Sequence, residues 1–218
     1  RMKCAGDVIE DTGSRAAVMK PDIRRNLVVP RGSQEGRWAA VDFADSILVA
    51  FARKVLQFQA EGKILVLVPS ENRFWQRQLT AHGWGSLQEF FIAAFNEAAK
   101  QVRPVCEPVH FWAEHTNEEL LKFKEDSGVN PLRPRICYSK GQAGEGFDDS
   151  LIRTVVFCMA ANTPFFVAQA ISRGTRVCSD PESKGLSPAL NHSMHVWDLD
   201  EEIAHCMEED EAPAEHAT

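Results

Sequence analysis

No apolar stretch here approaches the ~20 residues needed to cross a bilayer; runs such as Ile64 to Val68 are far too short. The first ten residues are mixed and polar, without the apolar h-region of a secretory signal. The six cysteines stand singly, with no CxxC pair. His192 and His195 sit among Pro188, Asn191 and Ser193, as loop residues would. No zinc site is expected, and a reduced, intracellular protein follows from this cysteine usage. Internal repeats are absent too. The balance of charge, −7 overall, does not favour a domain that grips nucleic acid by bulk charge.

What is present is an ordinary globular mixture, 44% hydrophobic and 25% charged over 218 residues, enough for one good α/β domain. Much of the acid is terminal, ending in Glu208-Glu209-Asp210-Glu211, whereas residues 15–37 are locally basic through Arg24, Arg25, Arg31 and Arg37. The chain opens on Arg1, and a piece of a longer polypeptide is expected.

Apolar positions Phe43, Ile47, Phe51, Val55 and Phe58 recur at three- and four-residue steps, predicting an amphipathic helix from Asp42 that Gly62 stops. The continuous run Ile64–Val68 fits a parallel strand covered on both faces. Ser86 with Glu89, and Thr116 with Glu119, are capping boxes that open two further helices. Strands are expected at Ile23–Val29, within Val102–Trp112, at Ile136–Tyr138, Ile152–Cys158, Val177–Cys178 and His195–Trp197, with a helix from Pro164 to Ile171. Strands alternating with helices predict a doubly wound, mostly parallel α/β sheet. Cys137 and Cys158, inside apolar runs, are expected core thiols.

The stretch Ser139 to Arg176 concentrates the chemistry. Gly141, Gly144 and Gly146 permit close backbone approach to a phosphate or another chain. Asp148 and Asp149 suit a sugar hydroxyl or the orientation of an arginine, and Arg173 and Arg176, one helical turn apart and expected to point the same way, a paired cationic clamp on a polyphosphate. The same residues equally suit a glycine-rich surface turn followed by two solvated arginines. A dinucleotide fingerprint is a poor alternative, because the spacing is GxxGxG and a strand, not a helix, follows.

These residues resemble motifs V and VI of superfamily 2 helicases, closest to the RecQ-like branch. Gly144-Glu145-Gly146-Phe147-Asp148 followed by Ile152-Arg153-Thr154-Val155-Val156 is similar to "G-x-G-[IF]-D … V-R-x-V-[IV]", and Gln169 to Arg176 to "Q-x-x-G-R-x-G-R". Lys20-Pro21-Asp22-Ile23-Arg24, Ile64 to Ser70 and His110-Phe111-Trp112-Ala113 resemble the family's upstream landmarks in order. Ser172 and Thr175 depart from the motif VI glycines, Ala170 replaces the acid usual after the glutamine, and Ser86 to Gln101 is an apparent extra helix. Nothing after Arg176 resembles the zinc-binding module of many such helicases.

The resemblance implies the second RecA-like domain of an ATP-dependent DNA helicase. It would span residues 20–200, between an upstream element or linker (1–19) and an acidic, disordered tail (201–218). There is no G-x-x-x-x-G-K-[ST], and the GK pair Gly62-Lys63 enters a strand from the wrong side, so ATP and Mg²⁺ would be held mainly by a first RecA-like domain. On this reading Arg176 is the arginine finger and Arg173 its partner. Gln169, Gly144, Gly146 and Asp148 would serve the nucleotide, and Ser70, Ser139 and Lys140 nucleic-acid phosphates, with Glu71 opposing them. The fragment alone would hydrolyse no ATP. Partners would be the first RecA-like domain and single-stranded or duplex DNA, with no membrane; the location would be intracellular, nuclear in a eukaryote. Alternatives are a degenerate RecA-like binding or scaffold module, or the motor of a restriction or remodelling enzyme. Trp75, Trp84 and Trp112 are candidates for base stacking, though burial in a core is the commoner role of such aromatics, and His82, His110 and His115 read as structural.

Overall fold

The computed structural model describes residues 8–9, 18–19, 46–58, 62–71, 73–81, 83–113, 117–126, 128–140, 149–158, 164–188, 191 and 194–199. Two short strands, β1 (Val8–Ile9) and β2 (Val18–Met19), pair antiparallel. The body of the fold is a sheet of β3 (Lys63–Leu67), β4 (Val109–Ala113), β5 (Arg135–Ser139), β6 (Ile152–Phe157) and β7 (His195–Asp198). Its order is β4-β5-β3-β6-β7, and every pairing is parallel.

Among the described residues, five α-helices cover it: α1 (Ser46–Phe58), α2 (Arg73–Ala81), α3 (Leu87–Gln101), α4 (Asn117–Glu125) and α5 (Pro164–Ser172). Alternation along the strands decides which helices pack on which face. Ile64, Val66, Ile136, Tyr138 and Val156 meet α1, α2 and α3 through Phe51, Val55, Trp75, Phe91 and Phe95. Leu65, Leu67, Cys137, Val155 and Phe157 meet α4 and α5 through Leu120, Phe123, Val167 and Ile171. The sheet is therefore covered on both sides, which is why β3 reads as an unbroken apolar run. This is the doubly wound α/β architecture, consistent with a RecA-like domain.

The expected helix through Phe51 and Val55 is found, and Leu48, Ala52 and Leu56 widen its buried stripe. The Ser86 capping box forms. Ser86 Oγ accepts from the Glu89 N–H at 3.1 Å, while the Glu89 carboxylate accepts from the N–H of Gly85, one residue before the cap. Helix α2, unpredicted, is anchored to the core through Trp75 and Leu79, a spacing too short to show as a period. The expected strand at Val177–Cys178 is not a strand, and the one within Val102–Trp112 is confined to β4. The Ile23–Val29 strand, Thr116, the landmark at Lys20–Arg24, the basic Arg24, Arg25, Arg31 and Arg37, and the acidic tail lie outside the described residues. Among the described residues no helix is long and apolar enough to cross a membrane.

Candidate functional site

In a parallel sheet all strands end on one edge, so the loops divide into two sets at opposite ends of the strands. The carboxyl edge contains the topological switch point. From β3 the chain departs toward β4, and from its neighbour β6 it departs toward β7 on the other side. The crevice outside such diverging strands is where open α/β sheets receive ligands. Ser70, exposed, follows β3 here, and Ser139 and Lys140 end the adjacent β5.

These three residues share an edge but not an environment. Ser139 is fully buried, and its carbonyl accepts from the N–H of Val68 at 3.0 Å. The Lys140 side chain, 8% exposed, lies with its ammonium 3.5 Å from Glu71 and 5.6 Å from the ring centroid of Trp112. Glu71 thus opposes Lys140 directly, the effect its sequence position suggests. Trp75 and Trp112 are core residues and Trp84 packs partly buried against the same core, so the structural alternative holds for these tryptophans.

Helix α5 starts on the carboxyl side, after β6, and delivers Gln169, Arg173 and Arg176 to the amino edge. There the segment after α5 lies against the start of β6: a Cβ added to Gly174 would sit 3.5 Å from the Ile152 carbonyl oxygen and 2.7 Å from Met194 Cε. The helix ends at Ser172, so Arg173 and Arg176 do not share a helical face, which corrects the idea of a clamp built on one turn of helix. Two hydroxyls close that end. Ser172 Oγ donates to the Gln169 carbonyl at 2.6 Å, and Thr175 Oγ1 to the Ser172 carbonyl at 2.9 Å. Both stand where the resembled motif has glycine. Arg176 is exposed, and Gln169 and Arg173 are half-buried.

The same edge holds a buried charge that the sequence did not disclose. Lys63 donates to Asp149 Oδ2 at 2.6 Å, to the Phe123 carbonyl, and to the Lys124 carbonyl at 3.3 Å, thereby capping the last turn of α4. Burial pulls its ammonium below the ordinary lysine value, with Asp149 opposing that shift. Asp149 also accepts from the Leu151 N–H at 2.9 Å, so it orients a lysine and a turn rather than an arginine. Gly62-Lys63 was visible as a pair, yet a partner 86 residues away gave no signal.

Arg153, 4% exposed, donates to the Ile152 carbonyl and to Asn191 Oδ1. Its guanidinium is held by burial at about 10, below the usual arginine range. On the other face His110 bridges Tyr138 (3.0 Å) and Asn96 (2.9 Å), a structural role as expected, and burial lowers it to about 4. Cys137 and Cys158 are core thiols, with burial pushing Cys137 up to about 12. Gly141, Gly144, Gly146, Asp148, His82, His115 and His192 lie outside the described residues.

Chemically, the amino edge offers two guanidiniums and an amide, donors suited to a phosphate's oxygens. Asp149 is committed to Lys63, so its carboxylate is not available as a metal ligand. Among the described residues there is no group of three or more His, Cys, Asp or Glu able to hold a metal ion. No known protein family matches the chain, and no curated protein is similar to it.

Proposed function

We propose that this domain is the second motor domain of an ATP-dependent nucleic-acid helicase, acting on DNA. It would supply Arg176, with Arg173, to an ATP site completed by a first RecA-like domain that brings the phosphate loop and the magnesium ligands. One observation carries this reading. The segment resembling motif VI, at Gly174, packs against the start of β6, where the chain resembling motif V enters the sheet. Two stretches recognised separately in sequence thus meet at one edge of a doubly wound parallel sheet, next to exposed Arg176. The opposite edge, with Ser70 and Lys140, would track the nucleic acid.

A guanidinium presented across the cleft neutralises charge on the transferring phosphoryl group without any covalent step. In the polypeptide carrying both domains, Arg176→Ala is expected to lower nucleic-acid-stimulated ATP turnover by about 10³-fold or more. ATP binding should remain largely intact. Unchanged turnover sinks the assignment. A second reading, a binding or scaffold module without catalysis, draws on the Ser172 and Thr175 hydroxyls that close α5 where the motif has glycines. Normal ATP binding with no stimulated hydrolysis in the unsubstituted protein would favour it.

A further inference from the structure

The first strand pairing of β3 with β6 carries an irregularity. Lys63 pairs with Ile152, but Ile64 pairs with Thr154, so Arg153 is an extra residue in β6. A bulge of this kind re-aims a side chain out of the regular alternation. The re-aimed side chain is long, cationic and buried, which costs free energy unless its donors are satisfied. Gly62 makes room for it: a Cβ there would lie 2.5 Å from Arg153 Cβ.

Arg153 donates through Nη2 to Asn191 Oδ1 at 2.7 Å. Asn191, also buried, spends the rest of its amide on one residue. Its Oδ1 accepts from the Cys178 N–H at 2.8 Å, and its Nδ2 donates to the Cys178 carbonyl at 2.9 Å. That side chain reproduces a strand's two-point pairing at a place where no strand forms. Cys178 is two residues beyond Arg176. The stretch bearing Arg176 is therefore fixed on both sides, by Gly174 against Ile152 and Met194, and by Cys178 in the grip of Asn191.

We propose that Arg153 and Asn191 are positioning residues, a buried clamp on Cys178 that sets where Arg176 stands at the amino edge. The inference rests on the arginine-finger reading above. A finger acts only if its guanidinium reaches the developing charge, and displacement by about 1 Å costs up to about 100-fold in rate. Arg176 pairs only as a single bridge residue, and the clamp at Cys178 extends that anchoring along the segment.

The test uses the polypeptide carrying both RecA-like domains, with Asn191→Ala and Arg153→Lys, and two readouts. The first is alkylation by a maleimide, read by mass spectrometry at each buried thiol. Cys178 should label at least about tenfold faster in the variants, as local opening exposes it. Cys137 and Cys158 should stay protected and so report an intact core. The second is steady-state hydrolysis, in which kcat should fall about 10- to 100-fold with the KM for ATP nearly unchanged.

Cys178 protection unchanged in both variants would overturn the clamp. Faster labelling of Cys178 with normal kcat would overturn its positioning role while the helicase reading stands, provided Arg176→Ala still abolishes turnover. Full turnover in Arg176→Ala, or no stimulated hydrolysis in the unsubstituted protein, would overturn both. If Asn191→Ala exposes all three thiols, Arg153→Lys, which keeps the charge but loses the fork, decides the matter by the same criteria.

Discussion

Lys63 and Asp149 form an ion pair of 2.6 Å with side chains 1% and 5% exposed, joining the first strand of the sheet to the turn that opens β6. The three protons of the ammonium have three acceptors, and the carboxylate accepts a backbone N–H besides. Such a pair is costly to desolvate, so its net stabilisation is small while both partners remain.

Removing one partner is a different matter. Lys63→Met should destabilise the domain by about 3–5 kcal/mol, because it leaves Asp149 buried and uncompensated. Asp149→Asn should cost less, since an amide oxygen still receives the lysine. The double variant Lys63→Met/Asp149→Leu should recover most of the loss. Chemical denaturation of the four proteins measures the coupling, and additivity of the two single changes would refute it.

His110 makes stability depend on acid. Its folded value of about 4 lies below the unfolded value of 6.5, so the unfolded chain binds the extra proton first. The contribution is complete above about pH 6.5 and is lost as pH falls toward 4. Allowing for the partial exposure of the ring, the loss is on the order of 2 kcal/mol. Unfolding free energies of the protein and of His110→Gln, compared at pH 7 and pH 4.5, should differ by that amount. Parallel pH profiles would remove His110 from the account.

Two glycines at the amino edge should differ in tolerance. Gly62→Ala places a methyl 2.5 Å from the Arg153 Cβ and 2.7 Å from its Cγ, atoms next to the backbone that cannot swing away. A loss of about 2–3 kcal/mol is expected. Gly174→Ala meets the far end of Met194, a flexible side chain, and should cost about 1 kcal/mol. Thermal denaturation gives the order, and the reverse order would contradict the packing described.

At the carboxyl edge, Glu71→Gln removes the carboxylate that faces Lys140. If that lysine serves a nucleic-acid phosphate, binding of a single-stranded oligonucleotide at low salt should tighten several-fold. The slope of log K against log salt should steepen by about one contact. Unchanged affinity and slope in a fluorescence-anisotropy titration would take Lys140 off the nucleic-acid track.

Periodicity and composition alone determined the α/β class, the buried central strand at Ile64–Val68, the stripe of α1, the Ser86 cap of α3 and the core burial of Cys137 and Cys158. Each depends on neighbours a few residues apart, whose spacing is written in the chain. Sequence also gathered Gln169, Arg173 and Arg176 into one candidate segment. Tertiary structure decided what those neighbours face. Lys63 with Asp149, Arg153 with Asn191, Asn191 with Cys178 and Glu71 with Lys140 are contacts made by strand order and a bulge, across 86, 38, 13 and 69 residues respectively. A polar residue carries no mark of a partner so far along the chain, because burial and pairing exist only once the sheet has brought the two strands together.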